Sequence, residues 1–206
     1  MPEAKPFLTW LPHHAQRVVP WRNGLGQTRE VAIDPPDGSV ERGFRWRVSC
    51  AGVAADGPFS VFPGVDRSLW LVRGDGVELD VDGRRVLLDQ RWQRVDFAGE
   101  APVHARLRGG PIDDLNVMVR RSDVLADAAL LELSEGATAP LSLPAGQHVL
   151  LGLQGVATVF GGVLGGSAGG GDAVRCDGAI AGELLAMDGA VVVLVVTFVA
   201  RHGVDP

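Results

Sequence analysis

The sequence predicts an all-β protein built from two antiparallel, barrel-like halves in one chain, with little helix. Three observations carry this. Apolar residues recur with a period of two over short runs, as in Phe44-Arg-Trp-Arg-Val-Ser-Cys50 and Val77-Glu-Leu-Asp-Val81, which is the signature of half-buried strands. The 28 glycines and 13 prolines fall in clusters between those runs, where they make tight turns. A weak internal repeat then links the halves: Gly155-Val156 stands 79 residues after Gly76-Val77, and Leu150-Leu151 at the same offset from Leu71-Val72. A repeat over half the chain is what a duplicated barrel leaves behind.

The strands follow in order. Phe44, Trp46, Val48 and Cys50 share one face of the first clear strand, and Arg45, Arg47 and Ser49 the other. Asp56-Gly57-Pro58 and Pro63-Gly64 bracket a short aromatic segment with stiff turns. Leu69–Gly83 reads as a strand, a Gly-Asp-Gly turn and an alternating strand with Val77, Leu79 and Val81 inward. Arg84–Leu88 extends it into a meander. Leu115, Val117 and Val119 alternate with Asn116, Met118 and Arg120 in the strand that ends the first half. Asp123–Leu131, with Ser122 as a cap, is the best helix candidate. Val149–Gly162 repeats the hairpin layout, Gly161–Asp172 reads as a mobile glycine loop, and Val191–Val199 as a buried strand. The expected division is a first barrel over residues 1–121, bearing the pocket, and a second, more degenerate one over 122–206.

Composition narrows the function. The 206 residues are 46% hydrophobic with a net charge of −6, enough apolar mass for a substantial core. No window gathers Lys and Arg into a stripe, so nucleic acid is not an expected partner. Met1–His14 lacks the basic start and apolar run of a signal peptide. The Val191–Val199 run is far shorter than the roughly 20 residues of a membrane helix. The expectation is a soluble cytoplasmic protein with no membrane association. Cys50 and Cys176 lie in no metal-ligand spacing and read as reduced, buried thiols. Of the five histidines, His13 and His14 are adjacent and point apart if extended, and His104, His148 and His202 lie far from one another, so neither a transition metal nor another cofactor is expected.

Three motifs crowd aromatics, charges and glycines beyond what strands and turns need. They are Trp21-Arg-Asn-Gly-Leu-Gly-Gln-Thr-Arg-Glu30, Phe44–Arg67 (FRWRVSCAGVAADGPFSVFPGVDR) and Leu107-Arg-Gly-Gly-Pro-Ile-Asp-Asp-Leu-Asn-Val-Met-Val-Arg120. In this order they resemble the HutD/Ves family of bicupin proteins, over about the first 120 residues. Leu25 interrupts the run of three glycines usual after the Asn in that family. The resemblance implies two cupin-like, RmlC-type jelly rolls. It also implies a tie to histidine utilisation, with a small metabolite such as N-formylglutamate bound by a regulator rather than turned over. Metal cupins carry two histidines one residue apart where this chain reads Val77-Glu-Leu-Asp-Val81.

The candidate ligand residues are Arg47, Arg67, Ser49, Ser60 and Asp66, joined by Asn23, Thr28 and Arg29 from the first motif. Arginine holds a carboxylate through two parallel charge-assisted bonds, small polar side chains fix the remainder, and Trp21, Trp46 and Phe62 wall off water. Asn116, polar in mid-strand, belongs in or beneath the pocket because an inward amide needs a partner. Asp66 has an alternative role, pairing with Arg29 or Arg47 to pin loops. Asp113 is expected to cap the Gly109-Gly110-Pro111 turn. The rival to a ligand-binding regulator is a metal-independent enzyme, an isomerase or N-acyl amino acid hydrolase, with Asp56 or Asp66 as its base. A homodimer is compatible with either.

Overall fold

The computed structural model describes residues 6–21, 26–167 and 170–201. Among these residues are seventeen strands and one short 3-10 turn, His13–Ala15. The strands are β1 (Phe7–Leu11), β2 (Arg17–Pro20), β3 (Gly26–Asp34), β4 (Trp46–Val53), β5 (Gly57–Pro58), β6 (Val65–Arg73), β7 (Val77–Val81), β8 (Arg84–Leu88) and β9 (Arg94–Ala98). They continue with β10 (Val103–Leu107), β11 (Ile112–Arg120), β12 (Val124–Leu133), β13 (Thr138–Leu143), β14 (Gln147–Val159), β15 (Gly162–Gly165), β16 (Ala173–Asp177) and β17 (Ile180–Ala200).

Two compact units emerge, one of residues 17–124 and the other of residues 1–16 with 125–206. Set beside the expected division into 1–121 and 122–206, the N-terminal strand β1 lies in the unit that holds residues 125–206. β1 pairs antiparallel with β16, Phe7 opposite Asp177 and Leu11 opposite Ala173. A single strand with no repeat partner gives no local sign of which sheet it will join.

The 17–124 unit is a jelly-roll sandwich, not a closed barrel. A six-stranded sheet in the order β2-β3-β4-β11-β6-β9 faces a four-stranded one, β5-β10-β7-β8. The core between them takes Val53, Leu69, Leu71, Val95, Phe97 and Ile112 from the larger sheet, with Val77, Leu79, Val81, Leu88, Val103 and Ala105 from the smaller. This defines the inner face of every strand, because side chains alternate. β6 and β7 do not pair as a hairpin. The Gly74 and Gly76 backbone, at φ 107° and 119°, carries the chain from one sheet to the other. The true hairpin is β7–β8, turned at Asp82-Gly83 with φ 49° and 81°, the left-handed pair that a two-residue turn needs.

The other unit is one seven-stranded sheet, β1-β16-β14-β17-β12, with β13 added to β17 and β15 to β14. β14 and β17 are long and change partners along their length: β14 pairs with β16 over Gln147–Leu151 and with β15 over Val156–Val159. Register shifts between Gly152 and Ala157 and the left-handed glycines Gly155 and Gly189 bend them, so that one sheet wraps its own apolar cluster around Leu150, Val174, Leu184 and Val193. The expected Val191–Val199 strand lies inside β17. The helix expected over Asp123–Leu131 is instead strand β12, whose burial alternates from Val124 to Leu130; pairing with β17 overrides its local helix preference.

The segment Gly161–Asp172 is not an open loop where it is described. Gly162–Gly165 is strand β15. Gly171 N–H bonds the Gly152 carbonyl at 2.9 Å and Asp172 N–H the Gly165 carbonyl at 2.8 Å. The Asp172 carboxylate accepts from the His13 and Gly165 amides. At Gly166 and Gly171 neighbouring backbone comes too close for a Cβ, and at Gly162 the Trp10 ring does.

Candidate functional site

The inner face of the six-stranded sheet is apolar towards β6 and β9 and polar towards β3 and β4. The register explains the juxtaposition. Met118 on β11 stands between Arg47 on β4 and Arg67 on β6, and Asn116 between Ser49 and Leu69. Glu30 on β3 lies opposite Ser49 and Thr28 opposite Ala51. A bulge between Glu30 and Ala32 then places Ile33 opposite Arg47, so both Glu30 and Ile33 face inward.

Two ionic groups result. In the first, Arg47 donates from Nε to Glu30 Oε2 at 2.8 Å, and Arg17 from Nη2 to Oε1 at 2.9 Å. Arg47 and Glu30 are both buried, Arg17 largely exposed. A buried carboxylate with a cation on each oxygen is compensated, whereas either buried partner alone is not.

In the second, Arg67 donates from Nη2 to Asn116 Oδ1 at 2.8 Å and, at 3.3 Å, from Nη1 to the Ser60 carbonyl. The Asn116 amide donates to Asp114 Oδ1 at 2.6 Å. The guanidinium also lies 5.0–5.5 Å from the ring centres of Phe59, Phe62 and Phe97, within cation–π range. Arg67 Nε is buried and has no hydrogen-bond partner among the described residues. Burial outweighs the neighbouring Asp114 charge and, with Arg47 close by, pushes Arg67 down to about 10. Asp114 is pushed up to about 7 by burial, with Asp113 adding to the shift and Arg67 and the Asn116 bond opposing it.

Of the residues singled out from sequence, Arg47, Ser49, Arg67, Thr28 and Asn116 come together on this face. Phe62 stacks at Arg67. Trp21 packs on the inner core and donates from Nε1 to Thr28 Oγ1 at 2.8 Å. Ser60 contributes its backbone carbonyl, its residue being exposed. Three do not join. Trp46 alternates with Arg47 and so points to the opposite face, where it is fully buried. Arg29 sits opposite Cys50 on that same face, and its charge pulls against the burial that raises the Cys50 thiol. Asp66, opposite Val119, is bound at 2.7 Å by Arg121, which also grips Glu100, so it is a pin as the alternative held, but with a different arginine. Asn23 lies outside the described residues.

Asp113, expected to cap its turn, instead pairs with Arg73 Nε at 2.6 Å. Asp56 accepts from the Leu107 amide at 2.8 Å. Both proposed bases thus have other partners, Asp56 the Leu107 amide and Asp66 the Arg121 guanidinium. The residues missed were Glu30, Asp114, Phe59 and Phe97. The signal for Asp114 was present, since it stands two residues before Asn116 and must share its face. No group of three or more His, Cys, Asp or Glu side chains arranged to hold a metal occurs among the described residues, and no helix there is long and apolar enough to cross a membrane.

Known proteins extend this picture. The HutD family model matches residues 13–193. Protein Ves of Citrobacter koseri is 43% identical over 102 residues, 49% of this chain and 52% of its own. An uncharacterised 21.2 kDa protein from the hutC 3′ region of Pseudomonas putida is 40% identical over 102 residues, 48% and 52% of the two chains. The chain thus spans about half the length of the curated relatives it matches. Among solved structures, a conserved protein of unknown function from Pseudomonas aeruginosa PAO1 superposes with a TM-score of 0.81 at 29% identity, covering 93% of this chain and 98% of that one. HutD from Pseudomonas fluorescens SBW25 does so at 0.80 and 25%, covering 95% and 100%. A cupin barrel protein from Leptotrichia buccalis, 11% identical at a TM-score of 0.52, shares the fold alone. With a family model matched over most of its length and the same bicupin fold, the chain belongs to the HutD family.

Proposed function

We propose that this protein binds a small carboxylate metabolite on the inner face of its 17–124 unit, with Arg67 as the receiving group. It then acts as a ligand-responsive regulator linked to histidine utilisation. The observation that carries the reading is the buried Nε–H of Arg67, which lacks a partner among the described residues. A guanidinium has five N–H donors, and a buried donor left unmet costs about 1–3 kcal/mol, so such a group is retained where something else completes it. A carboxylate is the natural complement, since it can accept from Nε and a terminal nitrogen at once. The aromatic rings of Phe59, Phe62 and Phe97 hold the cation in place before any ligand arrives.

The metabolic link is supported by the Pseudomonas putida relative, named for its place 3′ of hutC, and by the HutD structure, described for a formate condition. N-Formyl-L-glutamate, which joins a formyl amide to two carboxylates, is the first compound to try. Calorimetric titration of the wild-type protein should show saturable binding, and Arg67→Ala should weaken it about ten- to a hundredfold. Absence of binding by the wild type, or equal binding by Arg67→Ala, overturns the reading. A parallel incubation analysed for released formate or glutamate tests the enzyme alternative, which predicts turnover rather than unchanged ligand.

A further inference from the structure

The inner face carries a charge balance that bears on how any anion enters it. Among the described residues its buried ionisable groups are Arg47, Glu30, Arg67 and Asp114. Arg47 and Glu30 neutralise each other directly. Arg67 and Asp114 are joined only through Asn116, which accepts from one and donates to the other. With Asp114 ionised, these four buried groups sum to zero, Arg17 at the Glu30 carboxylate being largely exposed and screened by solvent, and a buried carboxylate added at Arg67 leaves an uncompensated buried anion, which low-dielectric surroundings strongly disfavour. With Asp114 protonated, the face carries one positive charge, and one carboxylate neutralises it.

We propose that the inner face takes up its carboxylate together with one proton, the carboxylate at Arg67 and the proton at Asp114, so that it admits in effect the neutral acid. This rests on the carboxylate-binding reading above. No atom moves between ligand and protein: the ligand arrives as its anion, and the proton comes from solvent to an Asp114 oxygen. The surroundings of Asp114 favour this role. From β6 it meets Arg67, opposite it stand the uncharged Leu71 and Ala51, and the facing sheet supplies apolar side chains. The other charges nearby are occupied on the opposite face: Asp113 pairs with Arg73, Arg29 stands opposite the Cys50 thiol, and burial raises that thiol well above neutrality. Asp114 itself titrates at about 7 because it is buried, so the exchange falls in an accessible range. The coupling also limits the ligand. One carboxylate is balanced at Arg67, and a second must stay towards solvent or meet Arg47 in competition with Glu30.

The test is calorimetric titration of the full chain with N-formyl-L-glutamate, run at pH 8 in two buffers of different ionisation enthalpy, and repeated from pH 6 to 8.5. The ligand's own carboxyls are already ionised throughout. The expected result is uptake of close to one proton per ligand at pH 8, with affinity nearly flat below pH 7 and falling towards tenfold per pH unit above it. Asp114→Asn should abolish both the slope and the proton uptake. Binding with no proton uptake and flat affinity overturns the coupling while leaving carboxylate binding intact. Uptake that persists in a folded Asp114→Asn protein assigns the proton elsewhere and overturns it too. No binding at any pH overturns this proposal along with the reading beneath it. If Asp114→Asn does not fold, the wild-type proton count decides.

Discussion

Arg67 donates to Asn116 at 2.8 Å across neighbouring strands, and this bond decides what the arginine can still offer. Asn116 takes one hydrogen of Nη2 and the Ser60 carbonyl one of Nη1, which leaves Nε–H and one hydrogen on each terminal nitrogen. Because the amide of Asn116 is itself anchored on Asp114, the arginine is oriented from beneath by β11 and from the side by three rings.

That arrangement separates two substitutions. Arg67→Lys keeps the charge but offers a single ammonium, so it should recover only part of the affinity lost in Arg67→Ala. Arg67→Ala should also lower stability by about 1–3 kcal/mol, because Asn116 Oδ1 is left buried without its donor. Titration with N-formyl-L-glutamate and urea denaturation of both variants separate the two effects. Lysine binding as tightly as arginine would mean that the fork is not used.

The buried Glu30–Arg47 pair should respond asymmetrically. Glu30→Ala strands a buried guanidinium and should cost about 3–5 kcal/mol. Arg17→Ala removes the exposed partner of the same carboxylate and should cost no more than about 1 kcal/mol. Urea midpoints measured on both variants check the ranking, and equal losses would show that Arg17 carries more of the compensation than its exposure allows.

Asp114 should leave a mark on the pH dependence of stability. Its folded pKa is raised, to about 7 from an ordinary value of 3.8. Between those values the native state therefore binds more protons than the unfolded state, and stability falls as pH rises. Below about 4 the penalty is absent, and above about 7 it is complete. Asp114→Asn carries no such penalty, so its stability relative to wild type should improve from pH 5 to pH 8. Denaturation midpoints at the two pH values check the sign; a gap independent of pH would place Asp114 in a more solvated setting.

Much of this was legible in the residues because strand periodicity is a local signal. The alternation in Phe44–Cys50 placed Arg47 and Ser49 on one face, and the third motif placed Asn116 inward. The same alternation also placed Trp46 on the far side from Arg47 and Asp114 on the same side as Asn116. Those two consequences were missed by weighing residue type above position. What no local pattern holds is partner choice between strands distant in sequence. Asp66 meets Arg121 from the end of β11, and β1 joins β16 across most of the chain. The bulge at Val31, which puts Ile33 on the same inner face as Glu30, is likewise a product of pairing with β4.

The glycines of residues 161–172 give the sharpest contrast between loop and packed segment. A Cβ at Gly166 would run into the backbone of Gln154, and one at Gly171 into the carbonyls of Gly165 and Gly152. Neither obstacle is a side chain able to swing away, so the strands around β14 must move apart. At Gly57 an added Cβ meets nothing within 4 Å and the backbone φ is ordinary. Gly166→Ala and Gly171→Ala should each destabilise by about 2 kcal/mol or more, in the range of overpacked cores. Gly57→Ala should be neutral or stabilising by up to about 1 kcal/mol, since it only restricts the unfolded chain. Thermal and urea melts of the three variants read this directly. If Gly166→Ala and Gly171→Ala melt like the wild type, the segment is a compliant loop after all, and Asp172's bonds to His13 and Gly165 do not hold it in place.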